Sequence, residues 1–171
     1  MDFKMDVFNE QLIKVKKSFL KAFSQVLLIF LAIVISPFTF VIPNFGQIIT
    51  PLIWFGVYYV MRFYNVEYEY SLTNGELDID KIYSQRKRVH VLSVKCKQFE
   101  IVAPINTTTF KNRLEDKNID KKIDVSSRGN PDKSYFAIFR EENQRILLIF
   151  EPTEKMLNSI KLYIPRRVVN E

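Results

Sequence analysis

His90 is the sole histidine in 171 residues, so a histidine-pair metal site is excluded and any catalytic triad would depend on this one imidazole. Glu76, Asp78 and Asp80 fall on one face of an alternating run. Paired carboxylates do acid–base work only where their surroundings push their pKa values apart beside a substrate cavity. Nothing in the local pattern builds such a cavity, and the spacing predicts a solvated strand face, with a docking stripe for a basic partner as the functional alternative. Cys96 is also single, which excludes an intramolecular disulfide or a cysteine metal cage; it reads as a small, partly buried strand residue. The four glycines, at 46, 56, 75 and 129, form no phosphate loop, and no nucleophile elbow or zinc-protease motif accompanies them. The expectation is a chain that is not an enzyme and uses no cofactor or metal.

Basic residues offer a different chemistry. Arg86-Lys87-Arg88 is the densest cluster, at a predicted hairpin tip. Lys14, Lys16, Lys17 and Lys21 precede a long apolar stretch and Arg62 follows it. Close to an anionic leaflet each such charge contributes about 1 kcal/mol, so these eight residues are the expected membrane-surface contacts. Trp54, Tyr58, Tyr59 and Tyr64 are the expected interfacial aromatics. The net charge of +6 is interleaved with acidic residues along most of the chain, which argues against a nucleic-acid face.

The element that positions these groups is Ala22 to Met61, forty residues without Asp, Glu, Lys, Arg or His. Residues 22–63 read as a two-helix transmembrane hairpin with its turn near 43–46, where Pro43, Asn44 and Gly46 follow one another. The first helix, 21 residues, spans about 31 Å against a hydrocarbon core of about 30 Å, and it either kinks at Pro37 or ends after Ser36. The second, Gln47 to Phe63, is at the short end of what spans. Residues 1–21, with Phe8, Leu12, Val15 and Phe19 at helical spacing among the lysines, read as a basic amphipathic helix on the cytoplasmic side. Because the positive charges flank the outer ends and the turn carries none, both termini are expected in the cytoplasm of a multi-pass protein of a bacterial inner membrane.

Beyond Arg62 the period becomes two. Val66, Tyr68, Tyr70 and Leu72 alternate with Glu67, Glu69 and Ser71, and Asn74-Gly75 then joins this run to Leu77 and Ile79, a strong hairpin signal. Further strands are predicted at Arg88–Val94, Phe99–Ala103, Lys122–Ser126, Ser134–Arg140 and Arg145–Glu151, with a long polar loop over residues 104–121. Ile146 to Phe150 is apolar on both faces and needs cover on both. A last helix, N-capped by Thr153, presents Met156, Leu157, Ile160 and Tyr163 as that cover and stops at Pro165, leaving a tail over 166–171.

Two membrane helices, consecutive antiparallel strands and a closing helix resemble the bacterial membrane proteins that carry a pleckstrin-homology-like domain, and the run Tyr68 to Ile82 with Arg86-Lys87-Arg88 after it looks like the opening of that domain in an uncharacterised family. The resemblance implies an α+β chain: a transmembrane hairpin followed by a small antiparallel PH-like barrel or sandwich of about seven strands over residues 65–165, closed by the C-terminal helix. In phosphoinositide-binding members the first strand-to-strand loop is basic; here Asn74-Gly75, taken as that loop, is followed by Glu76, Asp78 and Asp80, which would repel an inositol phosphate. The expected function is a membrane-anchored interaction module that binds a protein or peptide partner, or a second copy of itself, at the cytoplasmic face of the bilayer. The alternative is an accessory or regulatory subunit of a larger membrane transport or envelope assembly.

Overall fold

A computed structural model of the chain describes residues 8–16, 18–43, 45–107 and 118–169. Its first element corrects the helical reading of residues 1–21 where they are described; residues 1–7 and 17 lie outside the described residues. Phe8–Lys14 is a strand, β1, paired antiparallel with Val66–Thr73, β2, from Phe8 opposite Thr73 to Lys14 opposite Glu67. The helical spacing of Phe8 and Leu12 misled because both lie on the outer face of this strand, where they are exposed, while Asn9 and Ile13 turn inward and are buried.

The chain then leaves for two helices, α1 (Phe19–Thr39) and α2 (Gly46–Met61), and returns through a 3-10 turn, Arg62–Tyr64, into β2. The apolar hairpin is therefore inserted between two paired strands and does not precede the domain, so the domain boundary at residue 65 is also corrected. α1 continues through Pro37 to Thr39, which settles the choice between a kink there and an end after Ser36 against the early end. It is the one described helix long and apolar enough to cross a membrane; α2, with 16 residues, is about 24 Å long. The helices meet where Gly46 lies against the Thr39 carbonyl, a place where a Cβ would come within 2.4 Å of that oxygen. The Thr39 and Thr50 hydroxyls share a 2.6 Å hydrogen bond just beyond. Away from this seam the hairpin is covered with exposed Phe, Leu, Ile and Val side chains.

β1, β2, β3 (Glu76–Tyr83) and β4 (Lys87–Lys95) form one antiparallel sheet in chain order. Asn74 and Gly75 both take positive φ, 50° and 83°, as the tight two-residue hairpin requires. This turn is the second strand connection; the first holds the apolar helical hairpin. The repulsion of an inositol phosphate was thus read from the wrong loop. The second sheet has the order β5-β7-β8-β6, with β5 at Ile101–Pro104, β6 at Lys121–Asp124, β7 at Tyr135–Glu141 and β8 at Gln144–Phe150. β6 runs parallel to β8, so the fold is not wholly antiparallel. It contains eight strands among the described residues in two separate sheets and no closed barrel. Of the polar loop over 104–121, residues 108–117 lie outside the described residues.

Between the sheets lies one core, built from Tyr70, Leu72, Leu77, Ile79, Phe99, Phe139, Leu148 and Phe150 among others. Helix α3 (Glu154–Tyr163) closes it with Met156, Leu157 and Ile160, and Thr153 caps its start by accepting from the Met156 N–H at 3.3 Å. β8 is covered on both faces, as its composition demands, but the second cover is not the helix. Leu147 packs with Ala103, Phe136 and Ile138, flanked by Ile119 and Val169. The tail contributes here: Val168 bridges to Val102 in parallel, with the Val102 N–H bonded to the Arg167 carbonyl and the Val169 N–H to the Val102 carbonyl.

Candidate membrane-facing site

Where α2 gives way to β2, the β3–β4 turn folds back against the exit. The Ser84 N–H donates to the Asn65 carbonyl at 2.9 Å and the Ser84 hydroxyl to the Arg62 carbonyl. Ser84 and Gln85 both take positive φ to make the turn. Phe63 packs edge-on against Tyr83 at 6.4 Å and against Tyr59 at 5.4 Å. These contacts leave a cleft of about 270 Å³ whose walls are Tyr59, Phe63 and Tyr83 and whose cations are Arg62, Arg86 and Lys87. Arg62 lies over the Tyr58 ring at 5.9 Å, and Lys81 over the far side of the cluster at 4.8 Å from the Tyr83 ring centre. None of the ion pairs among the described residues includes Arg62, Arg86 or Lys87.

Three of the eight expected surface cations therefore converge. Lys14 stands on the other side of the same turn, in a cleft of about 450 Å³ with Tyr64, Ser84 and Gln85, and reaches Glu67 at 3.9 Å. Lys16 donates its backbone N–H to the Ser127 carbonyl, Lys21 is exposed in the first turn of α1, and Lys17 lies outside the described residues. Arg88 points elsewhere: it is 2.5 Å from Glu69 and 3.8 Å from Asp80 on the outer face of the first sheet. Of the aromatics, Tyr58 and Tyr59 occupy the last turn of α2, and Tyr64 shares a 3.1 Å hydrogen bond with Ser24 of α1. Trp54 sits about one turn further in, its indole N–H donating to Ser36 at 3.2 Å. Phe63 and Tyr83 were missed; the available signal was an aromatic ring beside a basic residue in each segment, Phe63 next to Arg62 and Tyr83 just before Arg86-Lys87.

The outer face of the first sheet gathers the other candidates. His90 Nδ1 is 3.0 Å from Asp80 and its Nε2 is 3.3 Å from the Ser93 hydroxyl, the residue types of a hydrolytic triad. The Ser93 hydroxyl, however, donates to Asp78, and a nucleophile whose proton is held by a carboxylate is not presented to the imidazole. The group lies on an exposed strand face, none of its residues lines the two clefts at the helix exit or the cleft beside β1, and no cluster of His, Cys, Asp and Glu among the described residues is arranged to hold a metal. Glu67 and Glu69 are buried on this face. Cys96 is fully buried in a 3-10 turn after β4, not in a strand, and burial pushes its thiol up to about 12, so it is protonated and inert at neutral pH.

Glu69 holds its proton above the ordinary carboxylate range, first through a side-chain hydrogen bond with Glu10, then through burial, against the opposing pull of Arg88. The folded state keeps this proton to a higher pH than the unfolded chain does. The resulting stabilisation is complete below the unfolded carboxylate range and is lost as pH rises through the folded value. Glu10→Gln is expected to flatten that loss, raising stability at pH 7 relative to pH 4.5 by about 0.5–1 kcal/mol. Urea unfolding at the two pH values checks it, and an unchanged pH slope refutes it.

Residues 5–170 match the family model described as "Bacterial PH-like domain (DUF6106)". No curated protein matches the chain, and no solved structure does.

Proposed function

Given that the chain belongs to the bacterial PH-like domain family, we propose that it is a non-catalytic interaction module held at the inner surface of the cell membrane, where it binds an extended segment of a protein partner. Both helices lie in the bilayer, the short α2 accommodated by local thinning and by Arg62 reaching the headgroups. The eight-stranded domain sits on the cytoplasmic side with the lysines that precede α1. The exposed apolar surface of the hairpin supports this placement, since such a patch is not tolerated in water.

The observation that carries the binding reading is a cleft of about 760 Å³ beside β1, between Gln11–Lys14 on one side and Asp132, Lys133 and the start of α3 on the other. Among the described residues β1 is an edge strand, paired only with β2, and edges take extended segments by adding a strand. A photo-crosslinker at Leu12 of the full chain in its membrane should give one discrete adduct, and one at exposed Leu162 none. An adduct of twice the chain's mass identifies a second copy as the partner. Monomer alone at both positions defeats the reading.

A further inference from the structure

We propose that the cleft of Arg62, Arg86 and Lys87 binds the phosphate of one anionic phospholipid whose acyl chains lie along α2. This rests on the membrane-anchored part of the reading above and is independent of the partner groove. Three cations meet around about 270 Å³ with no carboxylate paired to any of them among the described residues. Two of the three are guanidinium groups, which match phosphate in a bidentate fork. The volume is below that of drug-sized pockets, about 300–1,000 Å³, and suits a headgroup without its chains.

The chains have their own track. Leu52, Phe55, Tyr59 and Phe63 recur at intervals of three and four, and each is about half exposed or more, from 48% at Phe63 to 65% at Phe55. They form one apolar stripe along α2 that runs into the cleft, whose walls include its last two rings. A free inorganic phosphate would use the cations alone; a diacyl lipid uses both the cations and this stripe. Arg62, at the C-terminal end of α2, is favoured there by the helix dipole.

The test uses the full chain in phosphatidylcholine bilayers with spin-labelled phosphatidylglycerol or spin-labelled phosphatidylcholine as probe, reading the motionally restricted fraction. Phosphatidylglycerol should be preferred by about tenfold or more at one site per chain. R62Q/R86Q/K87Q should bring the ratio near unity, and R86Q/K87Q, on an exposed turn where folding is not at stake, should lower it by about threefold or more. K95Q/K97Q/R166Q, which removes equal charge at the far end of the domain, should leave it unchanged. Equal affinity for both lipids, or a preference that survives in the triple variant, overturns the site. Loss of the preference on adding inorganic phosphate at matched ionic strength makes the ligand a free anion and overturns the lipid assignment. A chain that fails to enter phosphatidylcholine bilayers at all defeats the anchored reading instead.

Discussion

Replacing residues 17–64 by a short Gly/Asn linker is expected to give a folded, soluble domain, whereas a fragment starting at Asn65 is expected not to fold. The ends of β1 and β2 are already hydrogen-bonded neighbours, the Val15 N–H donating to the Val66 carbonyl at 3.1 Å, so a few residues close the gap as in any strand hairpin. What the fragment loses is β1. Ile13 leaves the core, a change of about 1.5–3 kcal/mol for a buried aliphatic side chain. Two long-range brackets go with it: Asn9 donates to Ser159 at 2.7 Å, and Gln11 both donates to the Glu151 carbonyl and accepts from the Thr153 N–H, each at 2.8 Å. Each buried group left unpaired costs about 1–3 kcal/mol, and the sum consumes most of a domain's usual margin of about 5–15 kcal/mol. Far-UV circular dichroism and urea titration of the two proteins decide it; equal midpoints would remove β1 from the fold's foundations.

Phe139→Ala is expected to destabilise the linker-closed domain by about 3–5 kcal/mol. Phe139 is 1% exposed and meets Phe99 edge-on at 5.8 Å. Its ring stands in the core shared by the two sheets, which Tyr70 and Phe150 extend with their own edge contact at 6.2 Å. With strands anchored on both sides by their ladders, the walls cannot collapse into the vacated space, so the cavity term adds to the lost transfer energy. By contrast Leu162→Ala, at a site 68% exposed on α3, should stay within about 0.5 kcal/mol. A Phe139→Ala loss below about 1.5 kcal/mol would mean that the sheets close up around the gap, against the rigid packing described.

What could be read in advance was what local chemistry specifies. Asn74-Gly75 announced its hairpin because Asn and Gly take positive φ at low cost. Thr153 announced α3 because a hydroxyl before an apolar face satisfies an otherwise orphaned N–H. β1 escaped because the inward residues Asn9 and Gln11 are polar, and their partners Ser159, Glu151 and Thr153 lie about 140 or more positions away. β6 escaped as a parallel strand because nothing in Lys121–Asp124 records its neighbour's direction. The site was legible in pieces. Arg62 stood out at the end of the apolar stretch and Arg86-Lys87 in the densest basic cluster, but their convergence depends on Ser84 tying the β3–β4 turn to the helix exit, a tertiary fact with no local signature.

The position of the hairpin between β1 and β2 also sets a condition on how the protein is made. β1 leaves the ribosome first and has no partner until the hairpin has been synthesised and β2 follows it. In the proposed topology, if α2 fails to return, the two strands end on opposite faces of the membrane and the first sheet cannot form. If it does return, the helices hold the strand ends together and the entropy of closing a loop of some fifty residues is already met by insertion. In that topology completion of the sheet is a proofreading step: in an inserted molecule, the folded domain reports that α2 has returned to the side from which α1 entered.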